Sequence, residues 1–391
     1  MLKKAYSHLE DLIQWRRDFH THPELGFNEK RTAEIVAREL EKMGYEVRTG
    51  IGRTGVIADF GSNKGPTIAI RADMDALPIF EADDREYASV NPGLMHACGH
   101  DSHTAMALGA AAILSMEKFE GRVRFLFQPS EEMGDAEGIS GAPRMIEDGA
   151  LDGVDLVIAQ HVDPHIPVGT IGISSGPASG GVDNWYGKII GIGGHGAHPD
   201  QTIDPFGILA HVIIALNGIV SRRLDPFQPV VVSIGMVQGG YTQNVIPEMV
   251  EISGTLRYAN PGVLSQIQNE IRRAFEISRG FGGDYELKFE YGGGPNINHE
   301  VAVSIIKKAG ATIVGEEKVQ PGIPTLGAED FGAFTEKIPG AMFTLGTRIE
   351  GDERRLHHPR FDIDERAMPI GTAMLAEVAM QFLSNHPVNS K

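Results

Sequence analysis

The sequence predicts an α/β fold: a mixed, mostly parallel sheet domain flanked by helices, with a smaller α+β domain inserted into it. Three observations carry this expectation. Apolar strands alternate with amphipathic helices up to about residue 180, a strand-rich order replaces that alternation from 183 to 293, and the alternation resumes to the end. A chain of 391 residues is also longer than one hydrophobic core usually supports.

The elements follow in order. Leu9, Leu12, Ile13 and Phe19 recur at helical spacing within residues 5 to 19, and a second amphipathic stretch covers 29 to 43. "EVRTGIGRTGVIADFG" reads as two short strands around a glycine turn, followed by the buried strand "PTIAIRADMDALP". A helix is expected from about 103 to 117, with Asp101 or Ser102 placed to cap it. Then come the strand "RVRFLFQPSEE", a helical "GAPRMIEDGAL" and the strand "DLVIAQHV". In the insert, "NWYGKIIGIGG", a helix over 203 to 222, "PVVVSIGMVQG", "MVEISGTLRYA", a helix over 261 to 279 and "DYELKFEYG" form the β-α-β-β-α-β order of ferredoxin-like domains. Joints rich in Gly, Ser and Pro flank it, "GISSGPASGG" before and "YGGGPN" after. The expected domains are therefore 1–182 with 294–391, a discontinuous α/β domain, and 183–293, a smaller domain inserted into it.

A net charge of −17 argues against nucleic acid or an anionic membrane as partner, since both call for a basic face. Cys98 is the only cysteine, so no intramolecular disulfide forms, which suits a reducing compartment. The first residues lack the continuous apolar run of a signal peptide, and "LGAAAILSM" is too short to cross a bilayer. A cytoplasmic location is expected.

Four places combine metal-type ligands with the ends of predicted strands. His96-Ala-Cys98-Gly-His100 precedes a helix, whose N-terminus favours a thiolate. Glu131 and Glu132 follow an apolar strand; being adjacent they point in different directions, so one can ligate while the other works on water. His161 ends "LVIAQH", and His357 and His358 sit beside a proline in "RLHHPRFDIDE". Singly, each has an ordinary reading: an inert buried thiol, a solvated carboxylate pair, a core histidine, a polar loop. Together, thiolate, imidazole and carboxylate suit Zn²⁺, Co²⁺, Mn²⁺ or Ni²⁺ better than Mg²⁺ or Ca²⁺. A glutamate beside such ions is what metal-assisted hydrolysis requires.

The motifs "RADMDALP", "MHACGHDSHTAM", "QPSEE", "GGHGAHPD", "NVIPEMVEISGTLR", "GAEDF" and "LHHPRFDIDE", in this order, resemble the M20 metallopeptidase family. The resemblance runs from "RRDFHTHPELGFNE" to "FDIDE" and points to the subfamily of N-acyl-amino-acid, hippurate and auxin-conjugate amidohydrolases. It implies a binuclear site with Cys98 (bridging), His100, Glu132, His161 and His357 as ligands and Glu131 as general base. It also implies that Asp75 supports the ligands from behind, as His103 does on the following helix. Asp73 stands where other branches place a metal-binding His and is left out of the ligand set, and His358 is the weaker choice in its loop. In the insert, His195 matches the residue that holds the scissile carbonyl oxygen, and Asn244 and Arg257 match substrate-contacting positions; beyond it, Gly327 and Glu329 of "LGAEDF" lie where relatives line the pocket. The glycine-rich joints would permit hinge closure bringing His195 over the metals. His96 and His198 receive no defined role.

The expected activity is hydrolysis of N-acyl amino acids or related amide conjugates by metal-activated water, with two divalent transition-metal ions per subunit and a small-molecule substrate. A dipeptidase, an aryl or xenobiotic amide hydrolase, and a non-catalytic metal-dependent binding protein are the alternatives. A cysteine hydrolase would need a base near Cys98 but not the distant Glu132, His161 and His357. The resemblance also implies association into homo-oligomers through the insert.

Overall fold

A computed structural model describes residues 1–62, 64–83 and 85–385. The chain forms two compact units, one of Met1–Ala178, Asn296–Ile323 and the residues from Asp330 onward, the other of Ser179–Pro295 and Pro324–Glu329.

The first unit is built on an eight-stranded sheet. Its order is Glu46–Ile51, Gly55–Gly61, Arg122–Gln128, Thr67–Asp73, Leu156–Pro167, Gly340–Arg348, Ile171–Gly172 and Val319–Gln320. The four central strands, from Arg122–Gln128 to Gly340–Arg348, run parallel, and the antiparallel pairings lie to either side. Both faces are covered. Ile68, Ile70, Phe125 and Ile158 join the large core with the helices Leu9–Thr21, His100–Leu114, Glu300–Val314 and Met368–Asn385. Ala69, Leu126 and Val157 pack into a smaller core with Met145, Phe331 and Phe334. Burial on both faces is why these strands read as unbroken apolar runs, not as alternating ones.

The helix His100–Leu114 is buried along its whole length, and its sequence is apolar on all sides to match. It begins earlier than the expected 103, because Gly99 takes a φ of 91° and turns the chain directly into it. A side chain there would also meet Val162 Cγ2 at 2.4 Å. Neither Asp101 nor Ser102 caps it as expected: the Ser102 hydroxyl donates back to the Gly99 carbonyl at 2.6 Å, and Asp101 turns into a buried cluster.

In the second unit the antiparallel sheet runs Val230–Gly239, Met249–Tyr258, Gly181–Ile190, Asp284–Gly293, and the helices Pro205–Arg222 and Leu264–Phe275 share a core with it. Pro205 opens the first of these helices while Asp204 accepts the Phe206 N–H at 2.9 Å. That helix is long and apolar enough to cross a membrane by length and composition, but Ile208, Val212, Leu216 and Ile219 are buried in the core. The unit extends beyond residues 183–293. It also takes in Pro324–Glu329, where the Gly180 N–H donates to the Gly327 carbonyl at 2.9 Å and Gly180 bridges Ala328.

Candidate metal centre

Two neighbouring parallel strands of the first unit, Thr67–Asp73 and Arg122–Gln128, end level with one another: Asp73 pairs with Gln128. The turns that follow carry Asp75 and Ser130-Glu131-Glu132, at the carboxyl ends of the strands where open α/β sheets bind ligands. His161 lies within the next strand, just after its pairing with Thr67–Asp73 stops at Ala159.

These elements converge on Cys98. Its buried Sγ lies 3.4 Å from His161 Nε2 and 3.3 Å from His357 Nε2, although 63 and 259 residues separate the partners in sequence. His357 Nε2 is in turn 3.0 Å from Glu132 Oε1. Donor atoms of Cys98, His100 and His161 fall within 4.8 Å of one another, as do those of Cys98, Glu132 and His357, and those of His100, Glu131 and Glu132. His357 reaches this point from a backbone with φ 56°, its N–H donated to the Ala97 carbonyl at 2.8 Å. His358 faces elsewhere and accepts the Arg360 N–H at Nδ1.

The histidine rings are fixed from behind. His100 Nδ1 donates to the Asp75 carbonyl at 2.9 Å, and His161 Nδ1 donates to the Val162 carbonyl at 2.8 Å. Carbonyl oxygens only accept, so both rings carry their proton on Nδ1 and present the Nε2 lone pair to the cluster. His100 Nε2 is buried without a hydrogen-bond partner among the described residues. The Asp75 carboxylate accepts the Glu132 N–H at 3.0 Å and lies 3.2 Å from the same His100 Nδ1, so one residue supports two donors. His103 ties Asp73 (Nδ1 to Oδ1, 2.7 Å) to the backbone beside His161, accepting the Val162 N–H at 3.0 Å. Asp73, though within reach of His100 and His103, is engaged by Arg71 at 2.5 Å.

Electrostatics point the same way. Burial pushes the Cys98 thiol well above its ordinary range, so a thiolate here needs a cation beside it. Burial opposes charge on His100, yet Asp73 and then Cys98 raise it well above the usual imidazole value. A divalent ion would take the place of that proton. Burial lowers His103 and His96 to about 4, keeping both neutral; neither nitrogen of His96 has a hydrogen-bond partner among the described residues. Contact with Glu132 raises His357. One soft donor, three imidazoles and two carboxylates around one point, with an orphaned buried nitrogen, fit transition-metal ions.

In the second unit His195 and Asn244 come together on a two-stranded ribbon, where His195 pairs with Val245 and the Gly196 N–H donates to the Asn244 carbonyl at 2.8 Å. His195 Nδ1 accepts the Ala197 N–H at 3.0 Å, which leaves Nε2 carrying the proton as a donor. Its ring lies 5.4 Å from that of His198. Arg257 lies on Met249–Tyr258, forms no ion pair with any described residue, and is lowered by burial. Glu329 is buried within the short segment Pro324–Glu329.

The family model for peptidase family M20/M25/M40 matches residues 69–381. The chain belongs to this family. It is 39% identical over 385 residues to N-acetyl-L-cysteine deacetylase of Bacillus subtilis, covering 96% of this chain and 89% of that one. It is 44% identical over 294 residues to N-acyl-L-amino acid amidohydrolase of Geobacillus stearothermophilus, covering 74% and 78%. The crystal structure of Bacillus subtilis YXEP, described as a dinuclear metal-binding peptidase from this family, matches with a TM-score of 0.85 at 36% identity, covering 97% and 99%. This M20 chain is thus a hydrolase of amide bonds.

The sequence motifs do not by themselves show how their buried charged residues are tied to one another and to the segments beside them. Gln128, Ser140, Arg71 and the Ala142 N–H all bond to Asp330, and Arg16 and His20 bond to Asp101. Charged residues at buried helix positions, such as Arg16 between Leu12 and Phe19, were the available signal.

Proposed function

We propose that this protein hydrolyses the amide bond of N-acyl amino acids, with Glu131 as general base. Cys98, His100, Glu132, His161 and His357 would hold two divalent transition-metal ions, Zn²⁺, Mn²⁺, Co²⁺ or Ni²⁺. The observation that carries this reading is the position of Cys98 Sγ, 3.3–3.4 Å from two histidines delivered by separate elements. Relatives named as acting on N-acetylcysteine and N-acyl-L-amino acids support the substrate class.

When bound, such ions supply Lewis acidity toward the amide carbonyl and make a water easier to deprotonate. The residues do the rest. Asp75 and His103 keep the histidine rings and the Glu132 turn in register. Glu131 takes the proton of the attacking water on a carboxylate oxygen and delivers it to the departing nitrogen. Within the second unit, the His195 Nε2–H is suited to donate to an oxygen that gains negative charge, and the unpaired Arg257 to a substrate carboxylate. Asn244 and Glu329 are assigned further substrate contacts. Self-association through the inserted unit is part of the same reading, since Val231, Met236 and Val237 are exposed on its edge strand Val230–Gly239. So is a cytoplasmic location, which suits a lone reduced cysteine.

The test is metal content and turnover on a panel of N-acetyl, N-benzoyl, peptidyl and aryl-amide substrates, for wild type and Glu131→Gln. Retained metal with turnover reduced by about 10²–10⁴-fold is expected. Undiminished turnover in the variant overturns the base, and a wild type that binds metal but cleaves nothing in the panel favours a binding protein.

A further inference from the structure

The motif "HPELGFNE" lies at the N-terminal limit of the family resemblance, and the mechanism above gives it no task. In the structure it runs beside both turns that carry the site's carboxylates. The Ala76 N–H, next to Asp75, donates to the Glu24 carbonyl at 2.8 Å, and Leu25 bridges Ala76. The Ser130 N–H, next to Glu131, donates to Glu29 Oε1 at 2.8 Å.

Glu29 is placed unusually. It is the N-cap residue of the helix Lys30–Lys42, where an acidic side chain ordinarily accepts its own helix's first N–H groups, yet it makes no such bond. Glu24 does that work instead, accepting from Arg31 N, Thr32 N and the Thr32 hydroxyl. The Glu29 carboxylate is fully buried and turned inward, accepting from Ser130 N and, at 2.5 Å, from the Thr54 hydroxyl. Burial, with the charge of Asp75, pushes its carboxyl up to about 7. A buried carboxylate that does not cap its own helix is costly to keep, so what it holds matters.

What it holds is a strained residue. Ser130 has a φ of 47°, a conformation that a side-chain-bearing residue seldom adopts unless its surroundings impose it. The Ser130 hydroxyl donates to the Met133 carbonyl at 2.7 Å, and its carbonyl accepts the Gly141 N–H at 2.8 Å. Gly26 packs so closely that a Cβ there would come within 2.1 Å of Ser130 Oγ. Glu131 and Glu132 leave this turn directly.

We propose that Glu29 is a positioning residue: its carboxylate holds Ser130 in the left-handed conformation from which Glu131 and Glu132 are aimed at the metal centre. The inference rests on the hydrolytic role given above to Glu131 and Glu132. Ser130→Gly provides the test, because glycine takes a positive φ without imposed strain. Glu29→Ala should lower kcat by about 10²-fold at saturating metal, as a small misplacement of a catalytic group does, with KM changed less than about threefold. Metal affinity should fall by about tenfold through Glu132. Adding Ser130→Gly to Glu29→Ala should recover much of both losses relative to Ser130→Gly alone, and should shrink the loss in denaturation midpoint of the metal-free protein. A crystal structure of Glu29→Ala should show residue 130 out of the positive-φ region.

Glu29→Gln, which keeps an acceptor for the Ser130 N–H, should retain most of kcat, whereas Glu29→Asp, one methylene short, should not. That contrast also serves if Glu29→Ala does not fold. A Glu29→Ala protein with wild-type kcat and metal affinity, no recovery on adding Ser130→Gly, or equal behaviour of Gln and Asp overturns the proposal. Glu131→Gln inert beside an unaffected Glu29→Ala removes this inference alone; a fully active Glu131→Gln removes the hydrolytic reading beneath it.

Discussion

Two buried polar clusters flank the start of the helix His100–Leu114, and they differ in how complete they are. On one side Asp101 meets Arg16 and His20; Arg16 also bonds to Asp362 and Glu365, and His20 to Glu81. Every charge there has an opposite partner. On the other side Cys98, His100, His161, Glu132 and His357 gather donor atoms in overlapping groups, each within 4.8 Å, with His100 Nε2 left without a hydrogen bond among the described residues. A polar cluster that closes on itself serves the fold, and one that stays open is shaped for something the chain does not supply. Adjacent residues, His100 and Asp101, belong one to each.

The comparison predicts opposite responses to substitution. The largest effect is expected from Arg16→Met, which strands Asp101, Asp362 and Glu365 without their shared cation and should cost about 3–5 kcal/mol in denaturant unfolding of the metal-free protein. Cys98→Ser should move that same measurement by under about 1 kcal/mol while abolishing normal metal content. Similar stability losses from the two changes would erase the distinction. Next comes His103→Phe, which releases Asp73 and the Val162 N–H; metal titration should show affinity lower by about 10–100-fold. Unchanged affinity would make His103 part of the closed cluster instead.

The smallest effect is a pH dependence. Burial opposes charge on His20, but its bonds to Asp101 and Glu81 outweigh it and raise its pKa above 6.5. A group raised on folding contributes stability that is fully present below its unfolded value and fades as pH climbs through the folded one. The stability difference between wild type and His20→Gln should therefore be largest at pH 6.5 and below and shrink toward alkaline pH. A difference that grows on raising pH would show that His20 is held neutral.

The strands and the site motifs were readable because they are local. Apolar runs such as "TIAIRAD" mark strands covered on both faces, and a cysteine between histidines draws notice wherever it lies. What escaped depends on contacts between distant residues, which leave no period in the sequence. Asp101 looks like a helix cap until Arg16, 85 positions away, is seen beside it. Residues 324–329 read as part of the first domain because spatial contacts, such as the pairing with Gly180, place them in the second. Glu29 sits at a helix start, the most ordinary place for a glutamate, and its contact with Ser130 spans 101 positions.

The N-terminal helices have a practical consequence for anyone trimming this protein. The stretch matched by the family model opens at residue 69, two residues inside the central strand Thr67–Asp73. A fragment cut to that stretch would leave Asp101 behind without Arg16 or His20, and Ser130 without Glu29. A portion that keeps these contacts reaches back at least to Arg16, well outside the stretch that the family model matches.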